Sequence, residues 1–544
     1  MKKRQVLFIL IIIIASLLRF YNLGINPPSL SWDEAALGYN AYSISQTLRD
    51  EHGKFLPIDY YASFGDYKPP VYVYTAVLPA KFFGLNEFST RFPSAFFGVL
   101  TVILTYFLTK EIAKKFSSTS LSYLPLLSTL FLAISPWHIQ MSRAAFEANI
   151  ASFFIVLAVW LFLKGRSIPM FLIGSIISFV LSAYTFNSAR IVSPLLFLGL
   201  IFFFRKEVFK YKKILLTGIL IGAILTAPLI PHLISKEGSL RFQEVNIFSD
   251  AKPVTTSNLR QEVDKNIWWS KIIHNRRILY VREYLRHYLD TFDTNFLFID
   301  GDGNPKFSIR DIGELYWFDL LFLLSGLYFL IKRRTKELIF ILFWWLVAPI
   351  PAAMARETPH ALRLESSLPT WQIIFAFGFL NIYERIQKSW RKFFLFFSFL
   401  FLLFNVIYYV HNYHSHYPSE FSGEWQYGYK DVVNYVSKVE KNYDRVVMTE
   451  QLGRPYIYFL YYKQYPPEKF WEYKSFVEKD NYGFISVRGF DKYEFRGTDW
   501  VKEINKETTL YIMSPSDVPQ GVNIIKTFKL LNGNTILQAF VTNL

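Results

Sequence analysis

Residues 146–164, 213–233 and 391–410 are nearly unbroken runs of apolar side chains. Each approaches the roughly 20 residues a helix needs to cross the hydrocarbon core of a bilayer. Hydrophobic residues make up 52% of the 544-residue chain and charged residues 19%, the latter below the usual quarter for a soluble domain. The apolar residues are gathered in runs rather than spread at the periodicity of a globular core. The chain therefore reads as a polytopic membrane protein.

Apolar stretches fall near 5–20, 91–109, 121–137, 146–164, 168–186, 190–204, 213–233, 315–331, 337–354, 367–383 and 393–410. The stretch 70–83 is apolar but short and opens just after a proline pair. Charge decides how to count it. If 70–83 does not span and the N-terminus is internal, the clusters Lys110/Lys114/Lys115, Lys164/Arg166, Arg205/Lys206/Lys210/Lys212/Lys213, Lys332/Arg333/Arg334/Lys336 and Arg385/Lys388/Arg391/Lys392 all face the cytoplasm. The short loops opposite then hold only Arg143, Arg190, and the pair Arg356 and Arg363. Positive charge concentrated on one side is the usual mark of the cytoplasmic face. The expected fold is a polytopic α-helical membrane protein of about eleven transmembrane helices. Outer-face interfacial helices near 33–48 and 70–83 complete it.

Residues 1–410 read as the membrane domain, with external loops 21–90 and 234–314. Residues 411–544 read as an extracytoplasmic α/β domain. In it Lys430–Val439 is patterned as an amphipathic helix, and Arg445–Met448 and Thr509–Met513 as strands. Lys526–Leu531 and Thr535–Val541 flank Asn532-Gly533-Asn534, a hairpin signal. Met1 to Leu18 has the basic start and apolar run of a signal peptide but no small-residue cleavage site, and is read as a retained first helix. The absence of cysteine removes disulfides and thiolate metal sites. The net charge of +16 sits in short clusters between apolar runs, which argues against nucleic acid as a partner.

The chemistry is concentrated in the first external loop. Ser31-Trp32-Asp33-Glu34-Ala35 places a carboxylate pair just after the first apolar run, and Tyr67-Lys68-Pro69-Pro70 follows. A carboxylate can take a proton from an acceptor, and a lysine can neutralise a phosphate leaving group. An arbitrary acidic pair beside a membrane is usually just solvated. This one is wrapped in Trp32, Tyr39 and Tyr42, and such shielding strengthens a carboxylate's interactions. A lone interfacial lysine snorkels, but the residue before a proline is biased to extended backbone, which fixes Lys68 more tightly. Other outer turns supply Arg143 and Glu147, then Arg190, then Arg356, His360 and Arg363. Each could be a snorkelling or capping residue. Gathered on one face, they suggest a pocket for a lipid phosphate and a sugar.

Two further tracts are weaker. Asp300, Asp302 and Asn304 alternate as in a calcium loop but lack its terminal glutamate, and the tract reads as a turn over a substrate cleft. His411, His414 and His416 follow the last run and read as a solvated membrane-edge tract rather than a metal site.

The order Trp-Asp-Glu-Ala, Tyr-Lys-Pro-Pro, then Arg91-Phe92-Pro93-Ser94-Ala95 opening a span resembles GT-C class membrane glycosyltransferases. It is most similar to the protein-mannosyltransferase and aminoarabinose-transferase group (glycosyltransferase family 39 and relatives), over roughly residues 1–380. The resemblance implies transfer of a sugar from a polyprenyl-phosphate donor to an acceptor on the outer face, by a single inverting displacement. It implies a catalytic role for Asp33, with Glu34 beside it, and a donor-phosphate contact for Lys68. Glu147 falls loosely where relatives carry a second acidic residue. Topology and charge add Arg143, Arg190 and Arg363 as phosphate ligands, and Tyr39, Tyr67, Glu147 and His360 as substrate contacts. Some relatives use a divalent cation and others none, so the metal stays open. The expected partners are the lipid-linked sugar, membrane lipids, and an acceptor that is protein, lipid or glycan. A flippase of lipid-linked sugar, a polysaccharide ligase or polymerase, and a non-catalytic assembly protein remain as alternatives.

Overall fold

The computed structural model describes residues 2–64, 66–116, 118–473, 477–479, 485–498 and 508–541. The apolar stretches read from the sequence are largely helical, several of them in more than one piece. Prolines set several of their ends. The stretch 121–137 closes as a helix at Ala133, and a new helix Pro136–Arg143 begins with proline in its first turn, where no N–H is required. The helix Lys212–Thr226 breaks before Pro228, and the short pieces Ala227–Leu229 and Ile230–Ile234 carry the chain on. The helix Thr370–Arg385 starts after Pro369.

Among the described residues, five helical stretches are long and apolar enough to cross a membrane by length and composition: Glu87–Ala113, Glu147–Gly165, Ala189–Ile234, Lys336–Ala353 and Lys388–Ser415. Val71–Phe83, Leu121–Ala133 and Phe171–Ala183 are apolar but shorter.

The chain divides into two compact units. One holds residues 1–18, 97–142 and 147–409; the other holds 19–96, 143–146 and 410–544. The cut thus differs from the sequence division at 410, because residues 19–96 cluster with the C-terminal region.

In the helical unit, Asp319–Arg333 and Thr370–Arg385 pack closely. Gly326 lies against the Ile374 carbonyl and Gly378 against that of Phe322. Small residues let helix backbones approach this way.

In the second unit, a six-stranded sheet runs in the order 489–490, 493–495, 445–448, 509–513, 535–541, 524–529. The strand Arg445–Met448 is parallel to both of its neighbours, and the remaining pairs are antiparallel. The helix Tyr429–Val439 and both expected strands form where the sequence places them, and Gly533 turns the hairpin at φ +89°. The sheet, the helix Pro455–Tyr462 and the helix Trp32–Thr47 share one apolar core. That last helix was expected to lie at a lipid interface. It is instead buried by protein on most sides: Ala35, Ala36, Tyr39 and Ile44 are all covered. The helix Val71–Phe83 buries Tyr72, Val73 and Ala76 while exposing Leu78, Phe82 and Phe83.

Candidate active site

Ser31 accepts a hydrogen bond from the Glu34 backbone N–H at 3.3 Å, and the Glu34 carboxylate accepts one from the Ser31 N–H at 3.0 Å. This capping box fixes the start of the helix Trp32–Thr47. It places Asp33 in the first turn, where free N–H groups and the helix dipole favour an anion.

The two acids then part company. The Asp33 side chain is 47% exposed and ion-pairs with the Lys68 ammonium, whose own side chain is 11% exposed. Lys68 ends the short strand Asp66–Lys68, which pairs antiparallel with Tyr61–Ser63. The extended backbone expected before Pro69 is what forms, and the pairing aims the lysine. Its ammonium also lies 5.8 Å from the centre of the Phe64 ring.

Glu34 is wholly buried, as is Arg91. The Arg91 Nε donates to Glu34 Oε1 at 2.8 Å, and a terminal nitrogen donates to Oε2 at 3.2 Å. The Ala145 N–H adds a bond to Oε1 at 2.9 Å. Arg91 also donates to the carbonyls of Leu23, Pro27 and Ser29. It thereby clamps the loop that precedes the helix. In the motif Arg91-Phe92-Pro93-Ser94-Ala95 nothing singles out Arg91 for a role of its own. An arginine in the first turns of an apolar helix was the signal that could have found it, since such a charge is costly unless paired.

Arg143 lies in the same unit and is fully buried. It donates to the carbonyls of Tyr21 at 2.7 Å and Asn26 at 2.9 Å, with its guanidinium 4.9 Å from the Tyr413 ring centre. Tyr39 is buried and donates to the Tyr465 carbonyl at 2.8 Å. Burial, with the nearby Glu51 charge, pushes its phenol pKa up, so it stays protonated. Tyr67 is buried, with its ring edge-on to Tyr60 at 5.2 Å. A cavity of about 560 Å³ opens in this unit, lined by Asn26, Ser29, Glu87, His414, Tyr427 and Lys430 among others. The loop clamped by Arg91 and Arg143 forms one of its walls.

The other expected residues belong to the helical unit. Glu147 opens the helix Glu147–Gly165 and is half-buried. The Arg190 Nε donates to the Ala183 carbonyl at 3.2 Å. Arg363 donates to the Glu357 carbonyl at 3.2 Å. The His360 ring lies tilted by 38° against Phe307, with ring centres 4.7 Å apart, and its Nδ1 lies 3.8 Å from Asp302 Oδ2. The alternating Asp-Asn tract works as a brace: Asp302 accepts the N–H groups of Ala361 at 2.6 Å and Asn304 at 2.8 Å. Among the described residues no group of three or more His, Cys, Asp or Glu side chains is arranged to hold a metal ion.

Residues 9–234 match the family described as dolichyl-phosphate-mannose-protein mannosyltransferase. An uncharacterized protein of Aquifex aeolicus is 31% identical over 214 residues, which is 38% of this chain and 40% of that protein. A putative mannosyltransferase, YkcB of Bacillus subtilis, is 27% identical over 173 residues, 30% of this chain and 21% of that one. The chain therefore spans less than half the length of either curated relative. The fold is similar to that of ArnT from Cupriavidus metallidurans in its apo state, with a TM-score of 0.57 at 10% identity over 99% of this chain and 98% of that one. The same protein bound to undecaprenyl phosphate gives 0.54 at 10% identity, over 98% of each chain.

Proposed function

We propose that the protein is a membrane glycosyltransferase drawing on a polyprenyl-phosphate sugar, a reading supported by the match of residues 9–234 to the protein-mannosyltransferase family. The ion pair between Asp33 and Lys68 carries the reading. It sets an accessible carboxylate at a helix N-terminus beside a lysine held by a strand. Binding of undecaprenyl phosphate by ArnT, which shares the fold, supports the choice of donor.

In the reaction an acceptor hydroxyl or amine attacks the anomeric carbon of the sugar. The new bond forms as the bond from that carbon to the phosphate oxygen breaks, with inversion. Asp33 takes the acceptor proton, and Lys68 turns its ammonium donors to the departing phosphate. Glu34 supports this chemistry without touching it: its four hydrogen bonds and zero exposure fit a group that anchors the helix carrying Asp33. Arg143, with its bonds to the 21–26 loop, fits the same supporting task. Arg190, Arg363, His360 and Glu147 are proposed as contacts for the lipid phosphate or the acceptor. The concentration of basic clusters opposite this loop supports an outer-face site.

The test is transfer from radiolabelled polyprenyl-phosphate sugars by purified protein in lipid. Asp33→Asn and Lys68→Ala are each expected to abolish it. Transfer that survives both removes the proposed site, and labelled lipid crossing vesicles unconsumed would make the protein a flippase.

A further inference from the structure

The helix Arg276–Asp290 is built inside out for a soluble protein. One side is tethered by half-buried tyrosines: the hydroxyls of Tyr280, Tyr284 and Tyr288 donate to the carbonyls of Asp250 at 2.6 Å, Ile350 at 3.4 Å and Leu346 at 2.7 Å. A His287 ring nitrogen lies 2.8 Å from the Ala355 carbonyl. The opposite side carries Ile278, Val281, Leu285 and Leu289, all about half or more exposed. These recur every three to four residues and so form one stripe along the helix. Val263 and Trp268, on the preceding helices, are exposed by 81% and 75%. Exposed apolar residues gathered in this way mark a contact.

Two observations say what covers it. The first is position. Leu346, Ile350 and Ala355 lie at the end of the apolar helical run Lys336–Ala353, which is long enough to cross a membrane. The tyrosine tethers therefore hold the helix beside the mouth of a candidate span. The second is charge. Residues 252–290 hold eight Lys and Arg against four Asp and Glu. Arg282 and Arg286 flank the apolar stripe on the exposed side. Apolar residues in the acyl boundary, arginines reaching to headgroups and tryptophan at the edge form the pattern of a helix lying in a membrane interface.

We propose that residues 252–290 form a paddle that lies in the interface of one leaflet and draws acidic phospholipid to the neighbouring spans. The occupant of the apolar stripe is the headgroup and upper acyl region of an anionic bilayer. The proposal is independent of the sugar-transfer reading, because it uses none of the residues assigned there.

The absence of cysteine allows a clean test. Single cysteines are introduced as Ile278→Cys, Val281→Cys and Leu285→Cys, with Ser516→Cys, exposed in the other unit, as an aqueous control. Each is spin-labelled in nanodiscs of phosphatidylcholine with and without phosphatidylglycerol. Collision with oxygen, which partitions into lipid, is compared with collision with a water-borne nickel chelate. The stripe labels are expected to favour oxygen and the control to favour nickel. The preference is expected to deepen with phosphatidylglycerol and to lose that increment in Arg282→Glu/Arg286→Glu. Stripe labels as open to nickel as the control would overturn the interfacial placement. An oxygen preference indifferent to acidic lipid and to charge reversal would overturn the selection of anionic lipid.

Discussion

Arg91 holds Glu34 with two nitrogens, at 2.8 and 3.2 Å, in a place that water does not reach from either side. A buried charge pair adds little over an apolar pair of the same shape, but removing one partner strands the other. That costs about 3–5 kcal/mol. Arg91→Ala and Glu34→Gln are each expected to lower the unfolding midpoint sharply in detergent. Arg91→Lys should fare nearly as badly, since an ammonium cannot reproduce the fork or reach the three carbonyls as well. The double variant Glu34→Gln/Arg91→Met should recover part of the loss. Single variants with an unchanged midpoint would show that the pair does not hold the loop.

Tyr39 separates bracing from substrate contact. Its hydroxyl donates to the Tyr465 carbonyl inside the C-terminal region. Tyr39→Phe deletes one buried hydrogen bond, worth about 1 kcal/mol. The expected outcome is a small fall in unfolding midpoint with KM for the lipid-linked sugar unchanged. A raised KM at an unchanged midpoint would return Tyr39 to the substrate pocket.

The apolar runs and the C-terminal strands were legible because their signals are local: a run length near the bilayer thickness, an alternation, an Asn-Gly turn. The Lys68 conformation was legible for the same reason, since Pro69 constrains its neighbour directly. The split between Asp33 and Glu34 was not. Adjacent on a helix, they point about 100° apart, and which one meets Arg91 depends on a residue 57 positions away from Glu34. The burial of the helix Trp32–Thr47 was hidden likewise, because its cover, Pro455–Tyr462, comes from the far end of the chain. Charge patterning grouped Arg143 with Arg190 and Arg363. It could not register that Arg143 spends its donors on backbone carbonyls.

Gly453 offers a way to move Asp33 without touching it. Its φ is +109°, and a Cβ there would come within 2.5 Å of the Trp32 ring, next to the catalytic candidate. Gly453→Ala is expected to cost about 1–3 kcal/mol through the strained backbone alone. It should also lower kcat, because displacing a reacting group by about 1 Å can cost on the order of a hundredfold. Gly521→Ala is the control: its φ is +84°, but nothing lies within 4 Å of the added carbon. It should show the stability loss without the kcat loss. Equal kcat in the two variants would disconnect the Gly453–Trp32 contact from catalysis.

Asp302 predicts a pH dependence whose sign is unusual for a carboxylate. Burial pushes its pKa up to about 6 from the ordinary 3.8, against the opposing N–H bonds from Asn304 and Ala361 and the charges of Arg363 and Arg310. The folded state therefore holds this proton more tightly than the unfolded chain does. The carboxyl costs nothing below about pH 4, costs more as pH rises towards 6, and carries its full cost, about 3 kcal/mol, above that. Asp302→Asn removes the ionisation while keeping one acceptor for the Ala361 or Asn304 N–H. Relative to the variant, the wild-type protein is expected to lose unfolding midpoint steadily between pH 4 and pH 6 and to run parallel above. A wild-type-minus-variant difference that stays flat, or rises with pH, would mean that Asp302 is ionised throughout and that its pairing with His360 and Arg363 outweighs its burial.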